Sequence, residues 1–290
     1  MKCPNVEEWK AKGKTILVNG FEIFYIDEGT SNEVICILHG YPSCSYDYYR
    51  VLPLLTSKYR VIVHDHLGFG LSGRPLNYSY SLIEQADVAL AFWETLGLDN
   101  IHLLAHDYGT SVATEIIARI NMGYEPVKLK NIILGNGSML IEKAKLLLIQ
   151  RLLRSPTFGP LVVQLTTEWV FKMNMSKVWY DKSKVNLKEF EILYRLLWDT
   201  PESKKTFPIV SRYLDERRKF WHRWIGALCE TQRKIVLIWA DKDPVAIIEM
   251  AYDLQDKIPN NELFVLKDIG HYPMLEAPEI YANHVSKALG

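Results

Sequence analysis

Leu103-Leu104-Ala105-His106-Asp107-Tyr108-Gly109-Thr110-Ser111 is the stretch on which the reading of this chain turns. An apolar run over 101–105 ends in a polar pair and passes at once into a helical pattern over 110–120. Small residues stand two before and two after Asp107. A nucleophile elbow needs this arrangement, because its central residue is held strained and exposed and its neighbours must be small. Such an elbow usually carries serine; here the position holds aspartate. The plain alternative is an ordinary strand-to-helix turn in which Asp107 caps the helix.

Working outward, β-branched runs alternate with amphipathic helical stretches. Upstream, 15–20 and 21–27 read as a hairpin around Asn19-Gly20, and 34–38 and 60–63 as buried strands. A helix is expected over 46–55. A longer one follows over 81–96, with Leu82, Ala86, Ala89, Leu90 and Trp93 on one side. Downstream lies a strand over 129–134, and then the rhythm breaks. From 139 to 224 no strand-like run is bounded by turns, and the patterns are helical, rich in Leu, Trp, Tyr and Lys. Alternation resumes with strands at 234–239 and 263–266 and helices near 247–257 and from Pro278. This rhythm predicts a mostly parallel sheet of about eight strands, covered on both faces. Residues 1–138 and 225–290 then form an α/β core, and 139–224 form a helical cap inserted after the sixth strand.

The composition narrows the function classes. The chain has 290 residues, 48% of them hydrophobic, enough for a large core. Lysine plus arginine equals aspartate plus glutamate, 34 against 34, which argues against a nucleic-acid partner. Basic runs such as Arg217-Arg218-Lys219 read as solvated helix faces. Acids near the start, Glu7 and Glu8, stand where a secretory signal would need an apolar run. No stretch approaches the roughly 18 consecutive apolar residues of a membrane span. Cys3, Cys36, Cys44 and Cys229 are sparse, with no metal-type spacing, and read as reduced thiols of a cytoplasmic protein. Neither a metal nor a cofactor is expected.

Three more segments fall at expected strand ends. His39-Gly40-Tyr41-Pro42 follows the strand over 34–38, so that the Tyr41 amide can point at a developing anion beside the amide of Tyr108. Asp241-Lys242-Asp243-Pro244 follows the strand over 234–239, where an acid can orient a histidine. Gly270-His271 follows the last strand. Nucleophile, acid and histidine in this order match the chain order of a hydrolase triad. Gly68-Phe-Gly70-Leu-Ser-Gly73 resembles a dinucleotide fingerprint, but Arg74-Pro75 and turn residues follow it instead of a helix, so a dinucleotide site is rejected.

Together with Asp65-His-Leu-Gly-Phe-Gly-Leu-Ser72, these motifs make nearly the whole chain resemble the α/β-hydrolases, in their epoxide hydrolase and haloalkane dehalogenase branch. Within it the chain is similar to the mesoderm-specific transcript protein group, which shares His-Asp-Tyr-Gly and the 217–228 segment. The resemblance implies an α/β-hydrolase fold and a two-step reaction. Asp107 attacks a saturated carbon, and His271, oriented by Asp243, activates water to hydrolyse the alkyl ester. It favours Asp243 over Asp241, and it leaves uncharged Asn136 at the family's other acid position. His39, Pro42, Trp169 and Tyr180 are assigned to the substrate wall. The partners expected are a small apolar organic substrate and water, in a monomer or homodimer.

The leaving group is harder to read. Dehalogenases of this branch hold halide with a tryptophan after the nucleophile and often an asparagine after His-Gly; this chain has Tyr108 and Tyr41 there. Trp169, Trp179 and Trp198 are the remaining indoles of the cap. Epoxide opening instead needs an acid, and a phenol with pKa near about 10 suits it. Tyr213 matches the second cap tyrosine of epoxide hydrolases, while the first has no clear counterpart, with Tyr180 or Tyr194 as substitutes. Epoxide hydrolysis to a diol is therefore the expected reaction, dehalogenation the runner-up, and a non-catalytic binding protein the third reading.

Overall fold

A computed structural model describes every residue except Met1, Leu147 and Pro156. The strands are β1 (Lys14–Val18), β2 (Phe21–Glu28), β3 (Val34–Leu38), β4 (Arg60–His64), β5 (Asn100–His106), β6 (Lys128–Gly135), β7 (Ile235–Ala240) and β8 (Asn261–Leu266). They form one sheet in the order β1-β2-β4-β3-β5-β6-β7-β8. β1 and β2 pair antiparallel through the two-residue turn Asn19-Gly20, and β2 pairs antiparallel with β4. From β4 to β8 all pairings are parallel. β3 and β7 are buried along their whole length, as strands covered on both faces must be. Their continuous Val/Ile/Leu runs are the sequence trace of that burial.

Among the described residues seven α-helices, from Leu148–Leu153 to Trp221–Glu230, lie between β6 and β7. The last of them spans the boundary drawn at 224 and packs along helix Tyr108–Asn121 of the sheet layer. Where one helix is expected over 46–55, the chain instead makes a 3-10 turn, Ser45–Tyr48, and a short helix, Leu52–Leu55. Pro53 explains the break: it sits in the first turn of the short helix, where its missing N–H is tolerated, and it cannot donate back to continue the preceding turn. After Gly73 the chain runs through turns, and the next helix begins only at Leu82. That helix starts with a capping box between Ser81 and Glu84. Among the described residues no helix is long and apolar enough to cross a membrane.

Parallel strands bring their carboxyl ends to one edge of the sheet, the usual place for a site in such folds. The loops after β3, β5, β6, β7 and β8 deliver Tyr41, Asp107, Asn136, Asp243 and His271 there.

Candidate active site

Asp107 sits between β5 and helix Tyr108–Asn121 with φ 45° and ψ −109°. Positive φ in a residue with a Cβ costs about 1–3 kcal/mol and persists only where the surroundings impose it. Here they do. Its N–H donates to Gly135 O at 3.1 Å, tying the turn to β6. Its carbonyl accepts from Thr110 N at 3.1 Å, Thr110 Oγ1 at 2.6 Å and Arg217 Nη2 at 3.0 Å. The amide of Gly109 donates to His39 O at 3.0 Å, and a Cβ on Gly109 would lie 2.2 Å from Leu38 O. Only glycine lets the helix seat this close to β3.

The strained turn aims the carboxylate away from the helix that it begins. Asp107 makes no side-chain capping bond, so the capping alternative fails. Oδ1 instead accepts the Tyr41 amide at 2.8 Å, and Oδ2 lies 3.7 Å from His271 Nε2. The Tyr108 amide opens the same helix, among N–H groups that have no intrahelical acceptor.

His271 Nδ1 meets Asp243 Oδ2 at 2.6 Å. Asp243 is itself locked: Oδ1 accepts from Val245 N at 2.7 Å and Ala246 N at 3.0 Å, and Oδ2 from Asn136 Nδ2 at 2.7 Å. Asn136 in turn accepts the Ala240 amide at 3.0 Å. The family's alternative acid position thus supports the acid at the other one. Asp241 faces elsewhere, accepting the Asp268 amide at 2.7 Å beside Lys242 and Lys267. Burial works against a charged His271, but Asp243, Asp107 and Asp47 outweigh it and raise its pKa above the ordinary 6.5.

A small cavity of about 60 Å³ adjoins this row. Tyr41, Pro42, Val245, His271 and Tyr272 wall it from the sheet side, and Ile149, Leu153, Phe171, Met175, Val178 and Trp198 from the helical segment. Its lining is mostly apolar, as small-molecule sites are. Asp107 is off the wall but contacts Tyr41 and His271, which are on it. The Trp198 indole Nε1 is buried without a hydrogen-bond partner among the described residues.

Other expected site residues fare unequally. Pro42 lines the cavity. His39 does not: its Nδ1 faces Gly40 O at 2.8 Å and its Nε2 accepts the His66 amide at 3.0 Å, with burial pushing its pKa down to about 3. It shapes the loop under Tyr41. Trp169 is 69% exposed and Tyr180 47%, and neither lines the cavity, so both assignments are corrected. Trp169 lies on the outer side of helix Glu168–Lys177, whose Phe171 and Met175 already face the cavity, and Tyr180 lies in the bend after that helix. Tyr213 is buried, its ring 5.1 Å from those of both Tyr41 and Tyr108, beside the cavity wall and not on it. Burial, and then the charge of Asp107, push its phenol well above the ordinary 10.0.

Two positions carry weight that their sequence context does not signal. Arg217 belongs to a basic run expected to be solvated, yet it is buried. Its Nε donates to Ser111 Oγ at 2.6 Å, its Nη2 grips the Asp107 carbonyl, and its guanidinium stacks 4.7 Å from the Tyr213 ring. Arg218 and Lys219, exposed, keep the solvated reading. Glu276, buried, accepts the amides of Gly270 at 2.8 Å, Asp181 at 2.8 Å and Tyr180 at 3.3 Å. The His271 amide donates to Val178 O at 2.8 Å. The histidine loop is therefore stitched to the helical segment. A Cβ on Gly270 would sit 2.4 Å from Val178 O, which is why glycine precedes the histidine.

Two measurements check this geometry. A step that needs neutral His271 should rise with pH along a limb above 6.5. Asp243→Asn removes the largest raising influence and leaves burial, so the limb should move down; a pH–rate profile with an unmoved limb contradicts the arrangement. Glu276→Gln replaces an acceptor with a donor facing backbone amides. It is expected to cost about 1–3 kcal/mol in thermal unfolding; an unchanged melting temperature contradicts the stitch.

A family model described as "alpha/beta hydrolase fold" matches residues 33–278. LipZ of Mycobacterium tuberculosis is 34% identical, across 98% of this chain and 97% of its own. The human mesoderm-specific transcript homolog protein is also 34% identical, across 97% of this chain and 86% of its own. The crystal structure of DbjA superposes with a TM-score of 0.80 at 19% identity, covering 94% and 96% of the two chains, a likeness of fold. The sheet order, the elbow and these matches agree, and the chain belongs to the α/β-hydrolase family as one of its hydrolases.

Proposed function

We propose that this hydrolase opens a small apolar electrophile through a covalent ester on Asp107, most readily an epoxide, which leaves as a diol. One observation carries the reading: the Asp107 carboxylate lies between the Tyr41 amide, 2.8 Å from Oδ1, and His271 Nε2, 3.7 Å from Oδ2. An oxygen held by an amide stays put as the carbonyl of the ester, while its partner oxygen attacks. A carboxylate attacking an ester would form an energetic anhydride, so displacement at a saturated carbon suits it better. Hydrolysis then has its base in His271, oriented by Asp243, and its oxyanion donors in the Tyr41 and Tyr108 amides. In this reading 1–138 and 225–290 are the catalytic core, and 139–224 the cap that closes the cavity.

The alkoxide released from an epoxide needs a proton. Three buried phenols stand close enough to Asp107 for its charge to raise their pKa further: Tyr213, and Tyr41 and Tyr272 on the cavity wall. The Tyr41 hydroxyl is already paired with Ser211 Oγ at 2.8 Å, which leaves Tyr213 and Tyr272 as the candidate donors. A second reading, halide release, draws on one specific feature, the indole N–H of Trp198 in the cavity, unpartnered among the described residues. One such donor is fewer than the pair that halide binding in this branch employs.

Turnover of epoxides, chloroalkanes and activated esters, with Asp107→Asn as control, separates the readings. Asp107→Asn should abolish turnover of every substrate accepted. The Tyr213→Phe, Tyr272→Phe double variant should lower epoxide turnover by about 10²–10³, and the single variants apportion the loss. Halide release indifferent to both phenols but lost in Trp198→Phe would overturn the epoxide reading in favour of dehalogenation.

A further inference from the structure

Six of the sixteen large apolar side chains exposed among the described residues fall within 148–173: Leu148, Phe158, Leu161, Leu165, Trp169 and Met173. Leu148, Trp169 and Leu165 are 72%, 69% and 66% exposed. They lie on three consecutive short helices, Leu148–Leu153, Gly159–Leu165 and Glu168–Lys177, and on the turn between the first two. The spacing is helical: Leu161 and Leu165 share one face of their helix, and Trp169 and Met173 one face of theirs. The opposite faces are occupied, since Ile149, Leu153, Phe171 and Met175 wall the cavity and Val163 is buried. A surface helix ordinarily turns polar residues outward. These three turn apolar residues both ways.

Charge gives the face its partner. Over 143–177 the chain carries Lys143, Lys145, Arg151, Arg154, Lys172 and Lys177 against one acid, Glu168, in a protein whose total charges balance. Lys143 and Arg154 are drawn to Asp253 and Asp215, and Lys172 to Glu168. Lys145, Arg151 and Lys177 are exposed, each within four residues of an exposed apolar side chain in the sequence. Exposed Leu, Trp and Phe rimmed by Lys and Arg are what an anionic lipid interface binds: apolar groups enter the headgroup boundary and cations meet the lipid phosphates. None of the described helices can cross a bilayer, so contact is peripheral.

We propose that this face, 148–173, docks on the surface of anionic phospholipid membranes and sets the cavity against the lipid. Because the inner sides of the same helices wall the cavity, an apolar substrate dissolved in the bilayer reaches it without crossing bulk water. The inference stands on the surface of the helical segment and is independent of the chemistry assigned to Asp107.

Cosedimentation of the full chain with vesicles tests it, comparing phosphatidylcholine alone with phosphatidylcholine mixed with phosphatidylglycerol. Binding should favour the anionic vesicles and weaken as salt rises. Leu161→Glu with Trp169→Glu, and separately Lys145→Glu with Arg151→Glu, should each lower the partition coefficient at least about tenfold while melting temperature is kept. Failure of the wild type to bind anionic vesicles overturns the proposal, as does equal binding by both double variants. A dimer seen by sedimentation, split by Leu161→Glu with Trp169→Glu while vesicles stay unbound, assigns the face to a second copy and equally overturns it.

Discussion

Everything at the edge of this sheet depends on one backbone constraint, the left-handed turn that holds Asp107 at φ 45°. In a relaxed βα turn an aspartate at this position would fold back to cap the helix and spend its oxygens on backbone amides. The strain forbids this, and the carboxylate is presented to Tyr41 and His271 instead. Bonds to β6, to the loop after β3, to Thr110 and to Arg217 keep the turn from relaxing. The fold thus converts stability elsewhere in the sheet into one pre-aimed acid.

The helical segment between β6 and β7 does more than cover the opening. Arg217 reaches from it to the Asp107 carbonyl, Glu276 and the His271 amide bind its 178–181 stretch, and Glu189 meets Arg50 and Tyr49 across the junction. Arg74 spans the same seam, bonding Gly70 O at 2.9 Å and Leu196 O at 3.3 Å. Both ends of the carboxylate–histidine row are consequently coupled to the position of this segment. A shift of its helices would reach His271 through Val178 and Asp107 through Arg217.

Much of this was legible in the sequence, for identifiable reasons. Parallel strands buried on both faces must be continuous apolar runs, and loops at their ends must carry small residues wherever chain segments cross closely; 101–109 displays both, and Gly270 the second. The order Asp107, Asp243, His271 then picks out three residues that the structure brings together. The helical segment resisted reading because its side chains have several partners to choose among and no alternating pattern to sort them. Trp169 and Trp198 look equivalent in sequence, yet one faces solvent and the other the cavity. Arg217 hides in a run of three basic residues. Glu276 and Asn136 act on residues far away in the chain, and no local spacing announces such a bond. Pro53, by contrast, was a readable signal that the helix expected over 46–55 would break.

The central claim is that Asp107 is the atom donor, and oxygen labelling meets it most directly. A single turnover in heavy-oxygen water, with enzyme in excess, should place label in the Asp107 carboxylate, because water attacks the ester carbon of the enzyme and one original aspartate oxygen departs with the product. Mass analysis of the peptide containing Asp107 reads this out. Label found only in the product, with Asp107 unlabelled, would mean direct attack by water and contradict the account.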